Sequence, residues 1–383
     1  MVQNFDIIIV GAGIAGASAA AVLAADHRIL LLEREEQAGY HSTGRSAAMY
    51  IVNYGPQDVR ALSLAGRDFF FGPPDGFTEH PLVSPRGVLM VAHPGQEAAL
   101  EAELAASVGM TAISRETAQE LVPLLRPEAI AAAGYEADAQ DIDVAALHQG
   151  YLRLFRSRGG ELLLRAPVEA AATTAGVWSA HTPEGSFSAP RLINDAGAWA
   201  DTVAQRAGVR PLGIVPKRRT ALIIEGAPGE PGSARWPLVA DCGETWYCRP
   251  EASTKLLLSP ADATPPAPCD ARPEELDIAL AVDRFNKQST SQYGGSSIPG
   301  RVCAALHRMA RWRSDQIQKW KASSGWRGRG VTAFKQRREL LLWWLPSSRA
   351  PRFQKRSSMR ACGQRPFRRL VSDNREVASC GSG

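Results

Sequence analysis

Phe5-Asp6-Ile7-Ile8-Ile9-Val10-Gly11-Ala12-Gly13-Ile14-Ala15-Gly16 decides the fold. A short apolar run ending at glycines is the pattern of a strand buried on both faces of a parallel sheet. Ile14 to Ala25 is small, apolar and free of proline, and predicts a helix. Arg28 to Glu33 predicts a second strand, so a β-α-β unit forms within about thirty residues. In that context the three glycines have separate tasks. Gly11 permits the tight turn, Gly13 lets a pyrophosphate approach the backbone, and Gly16 lets helix and strand pack closely. Ile14, Ala15 and Gly16 open the helix, whose N-terminus faces the phosphate charge. Glu33 ends the second strand twenty residues after Gly13, where a carboxylate can accept from ribose hydroxyls. A purely structural glycine turn is the alternative reading.

Beyond this unit, helices are predicted over Asp58–Phe71, Gln96–Val108, Val144–Arg158 and Glu274–Phe285. Gly87 to His93 reads as a strand. Glu161 to Asp195 holds several short strands, and Trp236 to Leu258 a hairpin pair. Thr264 to Pro268 is a proline-rich loop. The chain has 383 residues, enough for two packed domains. No apolar run approaches the roughly 20 residues that cross a bilayer, and Met1 to Val10 has no basic n-region or cleavage site. Six cysteines lie scattered without a CxxC pair, which suits reduced thiols in a cytoplasmic protein and no metal.

The segment after Glu33 separates the dinucleotides. Arg34-Glu35 leads to Gly39-Tyr40-His41-Ser42-Thr43-Gly44-Arg45-Ser46-Ala47. This loop resembles that of the flavin enzymes of the D-amino-acid oxidase superfamily. The resemblance is densest to the D-arginine-dehydrogenase-like members, through Tyr40–Ala48, His148–Arg153 and Arg210–Arg219. It implies FAD as cofactor, with the loop along the pyrophosphate and flavin edge and Arg45 available to phosphate; a solvated loop charge is the alternative for Arg45. Val168 is implied at the adenine, and Ile193-Asn194-Asp195-Ala196-Gly197-Ala198-Trp199 resembles the later glycine turn, with Gly197 and Trp199 beside the cofactor. Asp195 departs from the family, which has a small neutral residue there.

The implied fold is α/β. A Rossmann-type FAD domain comprises residues 1–48 and 143–206, and a mixed-sheet substrate domain comprises 49–142 and 207–286. The implied reaction is oxidative deamination of a D-amino acid or related amine to an imino acid, then a 2-oxo acid, with oxygen or a quinone-type acceptor left open. Arg219 and Tyr247 are implied substrate contacts and Tyr54 a pocket wall. A surface charge, a core aromatic and simple packing are the respective alternatives. Ser84–Leu89, where close relatives can carry an acid, has none, and Met49 stands where a histidine can occur. Both lean towards neutral or apolar substrates. A sarcosine- or glycine-type oxidase on the same scaffold is a second reading.

From residue 287 the chain changes character. Residues 287–383 carry 21 Lys+Arg against four Asp+Glu, a balance of +17, whereas residues 1–286 carry 23 against 35, a balance of −12. Five of the nine tryptophans lie there, mixed with Arg, Ser and Gly in no clear period, so no strand is predicted. Two segments normal in the resembled family, W-A-G-L-R-S-F and G-F-F-W-x-A-G-Q-G-G-Y-G-I-Q, are absent. Both become readable when the third base of each codon is joined to the first two of the next, across Pro299–Leu306 and Lys319–Arg337. Trp320-Lys321 then forces glutamate and Met309-Ala310 forces glycine. The tail reads as out of frame, which explains its charge without nucleic acid. A nucleotide-binding remnant with a basic nucleic-acid-binding tail is the rival reading.

Overall fold

The computed structural model describes residues 3–225, 233–251, 255–291 and 302–308, the last as backbone. Ile7–Val10 is the inner strand of a four-stranded parallel sheet ordered Glu161–Leu163, Ile29–Leu32, Ile7–Val10, Arg191–Asn194. All four residues of Ile7–Val10 and of Ile29–Leu32 are buried. They alternate between two cores. Ile7, Ile9, Ile29 and Leu31 face helices Ile14–Leu23 and Val144–Ser157. Ile8, Val10, Leu30 and Leu32 face Val168, Ala180, Phe187 and Val203 on the opposite side. That second layer includes a four-stranded sheet ordered Gln3–Asn4, Gly185–Ala189, Val177–Thr182, Ala170–Thr174. Continuous apolar runs suit strands covered on both faces.

Helix Val144–Ser157 starts on Asp143, whose Oδ1 accepts from the Ala146 N–H at 2.8 Å. That cap satisfies one of the donors left free in a first helical turn. Leu147, Tyr151, Leu152 and Phe155 are buried along one side of this helix. Phe155 is wholly buried, and truncating such a side chain to alanine costs about 3–5 kcal/mol.

An eight-stranded mixed sheet runs in the order Val302–Arg308, Pro216–Glu225, Lys255–Ser259, Tyr247–Glu251, Leu238–Asp241, Val88–Ala92, Ala132–Glu136, Met110–Ile113. Only the pairing of Leu238–Asp241 with Val88–Ala92 is parallel. One face buries Leu89, Val91, Val239, Cys248, Leu258 and Leu222 with Ala281 and Phe285 of helix Glu275–Gln288. The other presents Val88, Leu238, Ala240 and Tyr247, packed with Met49 and Ile51.

Two expectations are corrected. Asp58–Phe71 is two helices, Gln57–Ala65 and Arg67–Phe71, separated at Gly66. The break turns Phe69 and Phe70 inward against Tyr151 and Tyr50. Residues 302–308, expected to form no strand, pair with Pro216–Leu222 over seven antiparallel positions. An edge strand draws on backbone hydrogen bonds and tolerates a side-chain pattern without period two. The segment Lys319–Arg337 lies outside the described residues.

Candidate cofactor site

Gly11 follows the inner strand with φ +106°, and a Cβ there would stand 2.4 Å from the Asp195 carbonyl oxygen. A Cβ on Gly16 would stand 1.8 Å from the Gly11 carbonyl oxygen. Both positions exclude any side chain because strand, turn and helix touch there. Gly13 differs. A Cβ on it would meet only the Thr43 hydroxyl, at 3.3 Å, and its open side faces a cleft. Gly11 and Gly16 thus have the tight turn and the close helix–strand contact read from the sequence, and Gly13 is left open toward the cleft.

Glu33 sits beneath the turn, buried. Its Oε2 accepts from the Ala12 N–H at 2.9 Å and its Oε1 from the Glu35 N–H at 3.0 Å. A carboxylate has about four acceptor positions, so capacity remains on the side that lines the cleft. The Thr43 hydroxyl accepts from the Ile14 N–H at 3.0 Å, tying the loop to the helix N-terminus.

The cleft collects Gly11, Gly13, Glu33, Arg34, His41, Ser42, Thr43, Val168, Gly197 and Trp199 from the predicted set. Ile14, Ala15 and Gly16 shape the turn from behind. Gly44, Arg45, Ser46 and Ala47 do not line it. The Gly44 N–H donates to the Gly39 carbonyl at 2.8 Å and closes the loop. Arg45 is directed elsewhere: its Nη2 lies 2.5 Å from Asp270 Oδ1, its Nη1 donates to the Ala271 carbonyl at 3.1 Å, and it covers the Tyr40 ring. Arg34 lies 4.7 Å over the Trp199 ring, and His41 packs against the same ring. Asp195 is buried at the cleft floor beside Gly16. Two contributors are not among the predicted site residues. Arg206 lines the cleft and donates to the Val168 carbonyl at 2.7 Å. His148 Nε2 donates to the Ala12 carbonyl at 2.9 Å from below.

Tyr54, Arg219 and Tyr247 line no part of that cleft but gather with one another. Burial raises the Tyr247 phenol, opposed by its hydrogen bond with Ser259 and by the Arg219 charge, while Tyr54 pushes the same way as burial. Tyr54 is raised first by desolvation, against Arg219, with Glu244 adding to the rise. Strand alternation separates Arg219 from Arg218. Arg218 points the other way, to the buried Asp277 and Asp262 and the exposed Glu274. Arg86, in the segment lacking an acid, is bound by Asp141 at 2.6 Å. Among the described residues no group of three or more His, Cys, Asp or Glu could hold a metal.

A strand–glycine turn–helix unit with an open glycine and a buried carboxylate at the edge of one cleft defines the class of dinucleotide-binding folds. A model of the family "FAD dependent oxidoreductase" matches residues 6–330. The chain belongs to that family, and its cofactor is FAD. Human mitochondrial dimethylglycine dehydrogenase is 30% identical over 154 residues, which covers 39% of this chain and 17% of that protein. The mouse protein matches equally. The match therefore spans less than a fifth of these relatives. Among solved structures, glycine oxidase from Geobacillus kaustophilus superposes with TM-score 0.67 at 18% identity, covering 80% of this chain and 83% of that one. L-proline dehydrogenase from P. horikoshii gives 0.68 at 17%, covering 81% and 83%. FAD-bound L-α-glycerophosphate oxidase from Mycoplasma pneumoniae gives 0.70 at 16%, covering 81% and 85%. These likenesses share the fold.

Proposed function

We propose that this chain derives from a cytoplasmic enzyme for oxidative deamination of D-amino acids or related amines. The observation that carries the reading is that Arg219 and Tyr247 stand on the same face of the mixed sheet, opposite Arg218 and Leu222, with Tyr54 in electrostatic reach of both. FAD held by the glycine turn and Glu33 would supply the two-electron oxidant for the carbon that bears the amine. The chain's own residues bind and orient. Arg219 supplies a cation for the substrate carboxylate, and Tyr247 and Tyr54 wall the site. Met49, Ile51, Val88 and Leu238 form the apolar surface beside Tyr247, which favours a neutral or apolar side chain. The product imine then hydrolyses to a 2-oxo acid.

The same reading includes an out-of-frame C-terminus. In the alternative frame an arginine is encoded across Cys303 and Ala304. Position 303 pairs in register with Ala221, two residues from Arg219 on the same strand alternation. A second cation at that register position would join the face that carries Arg219. The frame-restored protein, held anaerobically, should lose its flavin absorbance with neutral D-amino acids faster than with D-arginine. Arg219→Met should lower kcat/KM roughly 10–100-fold and leave the oxidised flavin spectrum unchanged. Bleaching by no D-amino acid, or an unaltered kcat/KM, would remove the assignment. Preference for D-arginine would instead assign Glu244, the acid that acts on Tyr54, to the substrate's distal cation.

A further inference from the structure

Both backbone groups of Ala12 are held from outside the glycine turn. Its N–H is taken by Glu33 and its carbonyl by His148, each at 2.9 Å. His148 is 4% exposed on helix Val144–Ser157. A carbonyl can only accept, so Nε2 carries the proton. Burial holds the imidazole below its ordinary pKa, against the opposing pull of the Ala12 bond and Glu33, and the ring is neutral. The ring also meets the flavin loop. A Cβ on Gly39, at φ +77°, would stand 2.9 Å from His148 Cε1. His148 therefore touches the glycine turn and the loop that carries Thr43.

The peptide joining Ala12 to Gly13 is planar and trans, so its N–H points opposite to its C=O. Fixing the Ala12 carbonyl downward on His148 fixes the Gly13 N–H upward, on the side where Gly13 lines the cleft. We propose that His148 is a positioning residue of the dinucleotide site, acting through the Ala12 carbonyl to aim the Gly13 N–H at the pyrophosphate. The proposal rests on the cleft being the FAD site.

ADP is the probe, because the turn and the ribose carboxylate suffice to bind it, and the full chain is titrated calorimetrically. Wild type should bind ADP and Gly13→Val should not. If wild type fails, or Gly13→Val binds equally, the cleft reading falls and this proposal with it. His148→Gln keeps an N–H donor of similar reach and should hold ADP within about twofold of wild type. His148→Met keeps the bulk, lacks the donor and should bind about tenfold more weakly, the scale of one lost hydrogen bond. Melting of the ligand-free variants separates affinity from folding. Equal affinity in His148→Met and wild type, or equal weakening in Gln and Met, would overturn the proposal. If His148→Met does not fold, His148→Asn, whose shorter amide falls short of Ala12, should show the same loss. If neither folds while His148→Gln does, the bond is a folding contact and the proposal is wrong.

Discussion

Glu33 has two roles in one carboxylate. It anchors the glycine turn through the Ala12 N–H and offers its remaining acceptor capacity to the cleft. On the proposed reading its removal takes away a ribose acceptor and loosens the turn together. Glu33→Ala should weaken FAD by roughly 1–3 kcal/mol, the scale of a lost hydrogen bond to a charged group. Titration of the frame-restored apoprotein checks it, and equal affinity in both proteins would reduce Glu33 to a structural anchor. Glu33 and the three glycines were legible because phosphate and ribose chemistry fixes residue types at short, fixed spacings. His148 was not legible, since its partner is a backbone carbonyl 136 residues away. No residue pattern announces a contact to main chain. Arg45 misled for a related reason. Its sequence neighbours suggest phosphate, but Asp270, 225 residues on, takes the charge.

Among the elements, the loop around Gly39–Ala47 is held by a strap just beyond the proline-rich stretch at 264–268. Asp270 receives Arg45, and Ala271 is buried against Ala198 and Trp199. The hydrogen bond from Arg45 is the main cause that holds the Asp270 carboxyl below its ordinary range. A depressed carboxylate stabilises the folded contact above its unfolded pKa and loses that contribution as pH falls through the folded value. The strap should thus protect the loop amides from hydrogen exchange at about pH 5–7 and release them below about pH 4. Comparison with Asp270→Asn at each pH removes the intrinsic pH effect on exchange. Identical protection in the two proteins at neutral pH would show that Ala271 packing alone holds the loop. Strongly patterned elements were readable, Ile7–Val10 from its continuous apolar run and Val144–Ser157 as a helix. Ala132–Glu136 was not, because alanine and glycine have low strand preference and its stability comes from two flanking strands.

For the molecule as a whole, charge is divided unevenly along the chain. Residues 1–286, with their balance of −12, supply nearly all of the described fold, and the +17 segment supplies one edge strand as backbone. Among the described residues no helix is long and apolar enough to cross a membrane. The α/β class was legible from the β-α-β unit at the start of the chain, and the mixed sheet was implied by the family resemblance. How the sheet's strands interleave was not, because pairings such as Val88 with Leu238 join distant stretches of chain. The central claim is that this scaffold oxidises amino acids with FAD once its carboxyl-terminal reading frame is restored. The most direct measurement expresses the chain as written and the frame-restored chain side by side, purifies both, and tracks flavin absorbance anaerobically after D-amino acid is added. The restored protein should be yellow and bleach, and the written chain should hold little flavin or fail to bleach. A written chain that purifies yellow and is reduced at the same rate would contradict the account and make the basic tail a native part of the enzyme.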